Sequence, residues 1–233
     1  MASGVSDNTE RQMQIAIGPS MLGGTLTIPT DAHGVVLFAH GSGSSRFSPR
    51  NRYVAGVLQQ SSLATLLMDL LTIDEERTDA LNGQIRFNIK LLSERIAAIT
   101  DWLQYNADTR RLEIGYFGAS TGSGAALVAA AMRPDSVKAI VSRGGRPDLA
   151  GAALQKVKAP VLLIVGDRDI PVLGMNRQAL ELLPGEKQLE IVPGASHLFE
   201  EPGTLEQVAV MARDWFNHYL HAESPVKPPK VER

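Results

Sequence analysis

The chain has 233 residues and a formal net charge of −2, and 44% of its residues are hydrophobic. This length and apolar content suit one α/β domain with a sizeable core, and the charge does not indicate nucleic acid or an anionic membrane as a partner. Because the sequence contains no cysteine, disulfides, thiolate catalysis and cysteine metal sites are excluded.

The two ends of the chain differ in composition from its middle. Residues 1–10 are polar and residues 221–233 are rich in proline and charge, which predicts a disordered N-terminus and a flexible tail around one domain at 11–220. The first residues lack the apolar stretch of a secretory signal, and no run of about 18 apolar residues is present. We therefore expect a cytoplasmic protein without a membrane partner.

Short apolar runs, typical of buried strands, recur along the middle of the chain. The first two, at 13–17 and 24–28, flank a turn at Gly18-Pro19 and predict a pair of strands. Further strands are predicted at 34–39, 63–68, 112–117, 137–141, 161–165 and 188–192. Several of these runs are continuously apolar, as expected of strands that are buried on both faces.

Helical patterns separate the predicted strands. They lie at 52–60, 85–105, 125–132, 177–183 and 205–219, and the second repeats apolar residues with a period near 3.6. Strands alternating with helices predict a mostly parallel, twisted sheet of about seven or eight strands with helices on both faces, and the first two strands as an antiparallel edge. Sheets of this kind carry their functional sites at the carboxyl ends of the strands.

A candidate nucleophile follows the predicted strand at 112–117. Ser120 is the centre of Gly118-Ala119-Ser120-Thr121-Gly122, and a helix of small residues comes next. In this strand–turn–helix context a G-x-S-x-G motif exposes the serine oxygen above the sheet, and glycines are needed because strand and helix nearly touch. The backbone N–H of Thr121 is then available to stabilise an oxyanion. The alternative is a glycine-rich turn with a helix-capping serine.

A candidate base and a candidate acid follow later strands. His197 comes just after the last predicted strand, and Asp167 and Asp169 follow the strand at 161–165. A carboxylate there can hold the imidazole in the tautomer that accepts the serine proton. We prefer Asp169 because Asp167 directly follows the strand and more easily caps the turn. The order Ser120, Asp169, His197 is the order of an α/β-hydrolase triad.

These motifs resemble the α/β-hydrolase superfamily, and more narrowly its dienelactone-hydrolase-like branch, over residues 23–219. The resemblance rests on His40-Gly41-Ser42-Gly43 together with the segments at 118–122, 166–169 and 194–197. It implies that Ser42, or alternatively Gly43, supplies the second oxyanion N–H and that His40 ties its loop in place. It also implies an α/β-hydrolase fold and a serine mechanism.

Two features qualify what the resemblance implies about substrate. Dienelactone hydrolase itself uses a cysteine nucleophile, which this chain lacks, so dienelactone is not implied as the substrate. The sequence also resembles hydrolase-like proteins found beside or fused to phosphoribosyltransferase domains.

Only residues 142–158 separate two consecutive predicted strands, which leaves room for a short helix near 149–157 and no lid domain. An open site suits small soluble esters.

Five arginines, called the rim arginines below, follow strands at the same predicted edge of the sheet. They are Arg46, Arg50, Arg52, Arg143 and Arg146. One interpretation is that they bind a carboxylate- or phosphate-bearing substrate, with Arg46 and Arg143 as its main contacts. The other is that they are solvated or form ion pairs, for example with Asp69, Asp74 or Asp148.

The sequence therefore predicts a carboxylesterase-type serine hydrolase acting on small-molecule substrates. The alternatives are a thioesterase, lactonase, peptidase or perhydrolase on the same triad, or a non-catalytic binding protein on a hydrolase fold. No metal-ligand spacing and no nucleotide-phosphate loop occur, so we expect neither a metal nor an organic cofactor. The oligomeric state is left open between a monomer and a homodimer.

Overall fold

The computed structural model describes residues 9–220. The predicted flexible tail at 221–233 and most of the predicted disordered N-terminus lie outside that range. The first strand begins at Thr9, earlier than the predicted start at residue 13. Polar residues such as Glu10 and Arg11 can extend this strand because it pairs with a neighbour on one side alone, at the edge of the sheet.

Eight strands and six α-helices make up the described part of the chain. The strands are β1 (Thr9–Ile17), β2 (Ser20–Ile28), β3 (Gly34–Ala39), β4 (Leu63–Met68), β5 (Glu113–Ala119), β6 (Val137–Arg143), β7 (Val161–Gly166) and β8 (Lys187–Val192). The α-helices are α1 (Pro49–Gln59), α2 (Ile73–Asn82), α3 (Ile89–Tyr105), α4 (Thr121–Met132), α5 (Ile170–Leu182) and α6 (Thr204–Tyr219). Two 3₁₀ segments, Ile85–Phe87 and Pro147–Lys156, complete them.

The strands form one sheet in the order β1-β2-β4-β3-β5-β6-β7-β8. The β1–β2 and β2–β4 pairs are antiparallel, and all later pairs are parallel. This confirms the predicted mostly parallel sheet with an antiparallel edge. It also brings the carboxyl ends of β3, β5, β6, β7 and β8 to one edge, where the loops with the candidate residues lie.

Helices cover both faces of the sheet, and each face has its own apolar core. Every residue of β3, β4 and β7 is buried. Leu37 and Ile140 pack with Ile96 of α3 on one face. Phe38 and Val141 pack with Phe216 of α6 on the other. Alternate residues of a strand point to opposite faces, so continuous apolar runs give strands that are covered on both sides.

The region before α3 departs from the sequence prediction. The predicted helix at 85–105 is a 3₁₀ turn followed by α3, because the Asn88 side chain accepts the Leu91 N–H at 3.1 Å and begins a new helix there. The sequence analysis also missed α2. Its signal was a capping box, in which Thr72 accepts the Glu75 N–H at 3.2 Å and Glu75 accepts the Thr72 N–H at 2.8 Å.

No lid domain covers the functional edge within residues 9–220, as predicted. The connection between β6 and β7 is a kinked 3₁₀ segment rather than a regular helix, because Gly151 interrupts it with a φ of +51°. None of the helices in this part of the chain is both long and apolar enough to cross a membrane.

Candidate active site

Ser120 lies in the sharp turn between the last residue of β5 and the first residue of α4. Its φ of +49° and ψ of −124° fall in a region that residues other than glycine rarely adopt. Such strain concentrates at functional positions. The Ser120 side chain makes no capping hydrogen bond to α4, so the geometry does not favour the alternative of a helix-capping serine.

The two glycines that flank Ser120 are required by close backbone contacts. A Cβ on Gly122 would overlap the carbonyl oxygens of Ala39 and His40, and one on Gly118 would lie 2.5 Å from the Cα of Ser123. The turn is therefore tight enough to exclude any larger side chain at either position, as the motif predicts. We call residues 118–122 the elbow.

The loop His40-Gly41-Ser42-Gly43, called the oxyanion loop below, passes directly beside the elbow. A Cβ on Gly41 would lie 3.1 Å from the Cβ of Ser120 and 3.8 Å from its Oγ. Gly43 has a φ of +70°, a conformation that favours glycine. The loop backbone thus runs beside the Ser120 side chain, and Thr121 begins α4 on the elbow side.

His40 anchors the oxyanion loop from below. Its Nε2 accepts the Leu70 N–H at 3.1 Å, so Nδ1 carries the proton and donates to the Gly41 carbonyl at 2.9 Å. Burial lowers the pKa of His40, which keeps the imidazole neutral and preserves both hydrogen bonds. This geometry supports the structural role that the resemblance implied.

Asp169 and His197 are joined across two neighbouring loops. The Asp169 Oδ2 lies 2.6 Å from the His197 Nδ1, which leaves the imidazole Nε2 available for a second partner. The Asp169 side chain makes no capping bond to α5, although it precedes that helix. Asp167 instead accepts the Gly194 N–H at 2.8 Å. Of the two carboxylates considered from the sequence, Asp169 therefore has the geometry of a triad acid.

The end of β6 links the elbow to the histidine. The Ser120 N–H donates to the Arg143 carbonyl at 3.2 Å. A Cβ on Gly144, the next residue, would lie 3.6 Å from the His197 Cε1 and 3.0 Å from its carbonyl oxygen. The strand end thus contacts Ser120 on one side and His197 on the other. Gly144 was not among the site residues predicted from the sequence.

Glu201 is a second residue that sequence reasoning missed. Its Oε2 accepts the Ser196 N–H at 3.0 Å and so fixes the backbone just before His197. The hydrogen bond from Ser196 lowers the pKa of the Glu201 carboxyl, which holds it ionised. A lone acidic residue after a histidine carries no distinctive sequence signal, so this contact could not have been anticipated.

The rim arginines differ in their partners. The Arg46 guanidinium pairs with Asp69, whose Oδ1 also accepts the Arg46 N–H at 2.8 Å. Arg50 pairs with Glu200 at 3.0 Å, and Arg146 with Asp148 at 2.7 Å. These three follow the ion-pair interpretation, so Arg46 is engaged by a carboxylate rather than free for a substrate. Of the other two, Arg52 is exposed on α1, and Arg143 is buried and is described below.

A cavity of about 650 Å³ lies beside the oxyanion loop. Its lining includes Ser42, Gly43, Phe47, Leu70, Leu71 and Arg86. This size and mixture of apolar and polar groups are typical of small-molecule sites. Among residues 9–220, no group of three or more His, Asp or Glu side chains is arranged to hold a metal ion.

Residues 67–220 match the model of the dienelactone hydrolase family. The crystal structure of a dienelactone hydrolase from Anabaena variabilis is 61% identical, with a TM-score of 0.91, over 92% of this chain and 99% of that chain. The chain belongs to the dienelactone hydrolase family. The narrower of the two resemblances stated from the motifs is thereby confirmed, as is the α/β-hydrolase fold.

Curated relatives extend beyond the length of this chain. The Mycobacterium tuberculosis protein named "Putative phosphoribosyl transferase Rv0571c" is 56% identical over 216 residues, which are 93% of this chain and 48% of that protein. The chain thus spans about half the length of the curated relatives it matches. Its enzyme fold is shared more widely, for example with Est1E from Butyrivibrio proteoclasticus, at 18% identity and a TM-score of 0.75 over 89% of this chain and 98% of that chain.

Proposed function

We propose that this dienelactone hydrolase family member is a serine hydrolase that cleaves small esters through an acyl-enzyme. The observation that carries the proposal is the 2.6 Å contact between the His197 Nδ1 and the Asp169 Oδ2, at the same edge of the sheet as the strained Ser120. Nucleophile, acid and base then follow in the chain order of the family's fold.

In the proposed mechanism, the His197 Nε2 takes the proton of Ser120 as its oxygen attacks the ester carbonyl carbon. Asp169 holds the imidazole in the required tautomer and stabilises the imidazolium that forms. The backbone N–H groups of Thr121 and Ser42 stabilise the oxyanion of the tetrahedral intermediate. The alcohol departs with the proton from His197, and a water molecule then repeats the sequence on the acyl-enzyme.

The open edge of the sheet supports small, soluble substrates. The connection after β6 forms no lid, and the cavity beside the oxyanion loop has the volume of a small-molecule site. An interfacial lipase instead shields a large apolar groove. The substrate proposed here is therefore a short-chain ester.

Lactones are a second candidate substrate class, favoured by the family. The 61% identical Anabaena variabilis protein is named a dienelactone hydrolase. The same triad opens a lactone, except that the leaving alkoxide stays attached to the acyl-enzyme. The serine oxygen needs a general base, whereas a cysteine thiol ionises more easily, so His197 carries more of the activation here than a base beside a thiolate would.

The phosphoribosyl transferase name of the curated relatives suggests a third activity. This chain spans 48% of those proteins and carries the proposed Ser120, Asp169 and His197 constellation. We propose that any phosphoribosyl transfer belongs to the part of those relatives that this chain does not match.

The test is hydrolysis of a panel of linear esters and lactones by the wild type and the Ser120→Ala variant. We expect kcat/KM on the preferred substrate to fall at least about 10⁴-fold in the variant. A fluorophosphonate probe should label the wild type at Ser120 and leave the variant unlabelled. Thioester, peptide and peracid-forming reactions complete the panel, since a Ser–His–Asp triad serves each of them.

Asp167 and Asp169 provide a matched pair of controls on one loop. Asp169→Asn should lower kcat about 10⁴-fold because the histidine loses its orienting carboxylate. Asp167→Asn should leave kcat nearly unchanged, since the asparagine oxygen can still accept the Gly194 N–H. Turnover that survives Ser120→Ala, or a folded wild type that neither turns over esters nor reacts with the probe, would contradict the proposal and favour a binding protein.

A further inference from the structure

Arg143 is a buried arginine for which residues 9–220 provide no ion-pair partner. It is the last residue of β6 and is 7% exposed. Its Nε and Nη1 are enclosed, and within the described residues neither has a hydrogen-bond partner. Burying a cation without a partner is strongly unfavourable, so apolar packing alone does not account for an arginine at this position.

Arg95 shows how the same protein treats another buried arginine. The Arg95 side chain is 5% exposed and donates to both carboxylate oxygens of Glu75, at 2.6 and 2.7 Å. It also donates to the Leu70 carbonyl at 2.7 Å. Arg95 is therefore buried as deeply as Arg143 but is fully paired. Arg143 differs because its Nε and Nη1 have no partner among the described residues.

The surroundings of Arg143 increase the positive charge rather than offset it. Burial, and then repulsion from Arg50, lowers the pKa of Arg143 to about 10, so the guanidinium stays charged near neutral pH. Arg50 lies in the first turn of α1, which also contains Arg52 and no acidic residue. The carboxylate that pairs with Arg50 is Glu200, whose side chain is 63% exposed.

The positive end of a helix dipole adds to this charge. Cations in the first turn of a helix are unfavourable, whereas an anion placed there is stabilised. Ser48 accepts the Asn51 N–H at 3.4 Å, and Pro49 carries no N–H, so this helix end contributes chiefly its dipole. Arg143 thus lies close enough to Arg50, in the first turn of α1, to be repelled by it, and the carboxylate paired with Arg50 is largely exposed.

This positive site is rooted next to the proposed nucleophile. The Arg143 carbonyl accepts the Ser120 N–H, and Arg143 pairs in register with Ala119 on β5. On the other side, α1 begins directly after the loop that forms the cavity, whose lining includes Phe47, Ser48 and Pro49. The lining of that cavity includes neither Arg143 nor Arg50, so the backbone contact with Ser120 is what places Arg143 beside the proposed nucleophile.

We propose that Arg143, together with Arg50 and the N-terminus of α1, binds a phosphate group carried by the ester substrate. The inference deepens the proposed esterase function and rests on it, because the phosphate group is assigned to the ester that the proposed triad hydrolyses. Phosphate is favoured over carboxylate because a phosphate monoester offers three acceptor oxygens and a charge of about −1.5 to −2 at pH 7 to the several N–H donors of the guanidinium groups. Guanidinium groups and helix N-termini are both established phosphate-binding elements.

Binding of inorganic phosphate tests the site without any ester. At constant ionic strength, phosphate at ten times its dissociation constant should raise the Tm of the wild type by about 3 to 5 °C. Arg143→Met should abolish that shift, and Arg146→Gln should retain it, because Arg146 follows the same strand but is already paired with Asp148. Chloride at equal ionic strength serves as the reference. No shift in the wild type would overturn the proposal whether or not the Arg143 variant folds.

Matched acetate esters then test whether the bound phosphate belongs to the substrate. Wild-type kcat/KM should be at least about tenfold higher on 2-acetoxyethyl phosphate than on 2-acetoxyethanol, with 3-acetoxypropanoate between them. In Arg143→Met the ratio of kcat/KM on the phosphate ester to kcat/KM on 2-acetoxyethanol, measured in the same variant, should fall to about one, and Arg143→Lys should regain part of it. Inorganic phosphate should inhibit hydrolysis of the neutral ester competitively.

The two proposals fail in different ways. If neither the wild type nor Ser120→Ala hydrolyses any ester, the esterase mechanism is contradicted. The phosphate-induced Tm shift then still tests phosphate binding at Arg143. Equal kcat/KM on the three esters, or a preference that persists in Arg143→Met, contradicts the phosphate assignment and leaves the triad untouched. A stronger preference for the carboxylate ester also overturns it.

Discussion

The elbow around Ser120 and the rim arginines lie at the same end of the sheet, but different forces hold them in place. The elbow is fixed by steric contacts between backbone atoms and the glycines at 118 and 122. Arg46, Arg50 and Arg146 are fixed by carboxylates, each with a different degree of exposure. Backbone packing thus allows the elbow a single geometry, whereas the paired rim arginines form separate ion pairs that differ in strength.

This difference indicates which residues at this edge of the sheet can be substituted without loss of the fold. Close packing of backbone against backbone leaves no room for an added atom, so the elbow tolerates no side chain at its glycines. Exposed ion pairs contribute little to stability, and buried ones depend on both partners. We therefore expect substitutions in the elbow to disturb stability and activity together, and substitutions at the rim to differ widely from one another.

Gly122→Ala gives the largest expected effect on this comparison. The added Cβ would overlap the carbonyl oxygens of Ala39 and His40, so the oxyanion loop must move. We expect a loss of at least about 3 kcal/mol in the free energy of unfolding, together with a large fall in ester turnover. Urea unfolding and kcat/KM on a neutral ester provide the measurements.

Gly56→Ala is the matched control for that substitution. Gly56 lies inside α1, and a Cβ there would meet no atom within 4 Å. Because alanine favours a helix more than glycine does, this variant should gain about 0.5–1 kcal/mol and keep its activity. Similar destabilisation by both variants would mean that contact at the elbow is not what makes glycine necessary.

The elbow could be predicted from the sequence because its motif is local: glycines stand at fixed offsets from Ser120 between a strand and a helix of small residues. The contacts that require these glycines are only partly local, since Gly118 lies against Ser123 whereas Gly122 lies against Ala39 and His40. The alternation of strands and helices likewise predicted the mostly parallel sheet.

The state of Arg46 could not be predicted, since its partner Asp69 is distant in the sequence and Asp74 and Asp148 were equal candidates. Arg143 was named from the sequence as a possible substrate contact, but no local signal shows that it is buried without an ion-pair partner whereas Arg146 pairs with Asp148.

Arg46→Met tests the rim at an intermediate magnitude. The Asp69 side chain is 10% exposed, so removing the arginine leaves a largely buried carboxylate without its ion-pair partner. We expect a loss of about 2 kcal/mol in the free energy of unfolding. Arg146→Gln, whose ion pair with Asp148 is more exposed, should change stability by at most about 0.5 kcal/mol. Equal losses in the two variants would remove the distinction among the rim arginines.

A smaller effect than that of Arg46→Met is expected at His40, which anchors the oxyanion loop between β3 and Arg46, beside the elbow. Folding lowers the pKa of His40 through burial, so the unfolded chain binds a proton at a pH where the folded chain does not. This group therefore does not affect stability well above pH 6.5, the ordinary pKa of histidine, and it reduces stability as the pH falls below that value.

His40→Gln isolates that contribution, since a glutamine oxygen can accept the Leu70 N–H and its amide can donate to the Gly41 carbonyl. Between pH 7.5 and 5.5 the wild type should lose about 1 kcal/mol more stability than the variant. Acidic groups with lowered pKa values, such as Glu75 and Glu201, also weaken the fold in acid, but they are present in both proteins and cancel in the difference. Urea unfolding at the two pH values measures it. If the free energy of unfolding depends on pH identically in the two proteins, protonation of His40 does not reduce stability. The backbone contacts with the elbow would then be enough to hold the oxyanion loop.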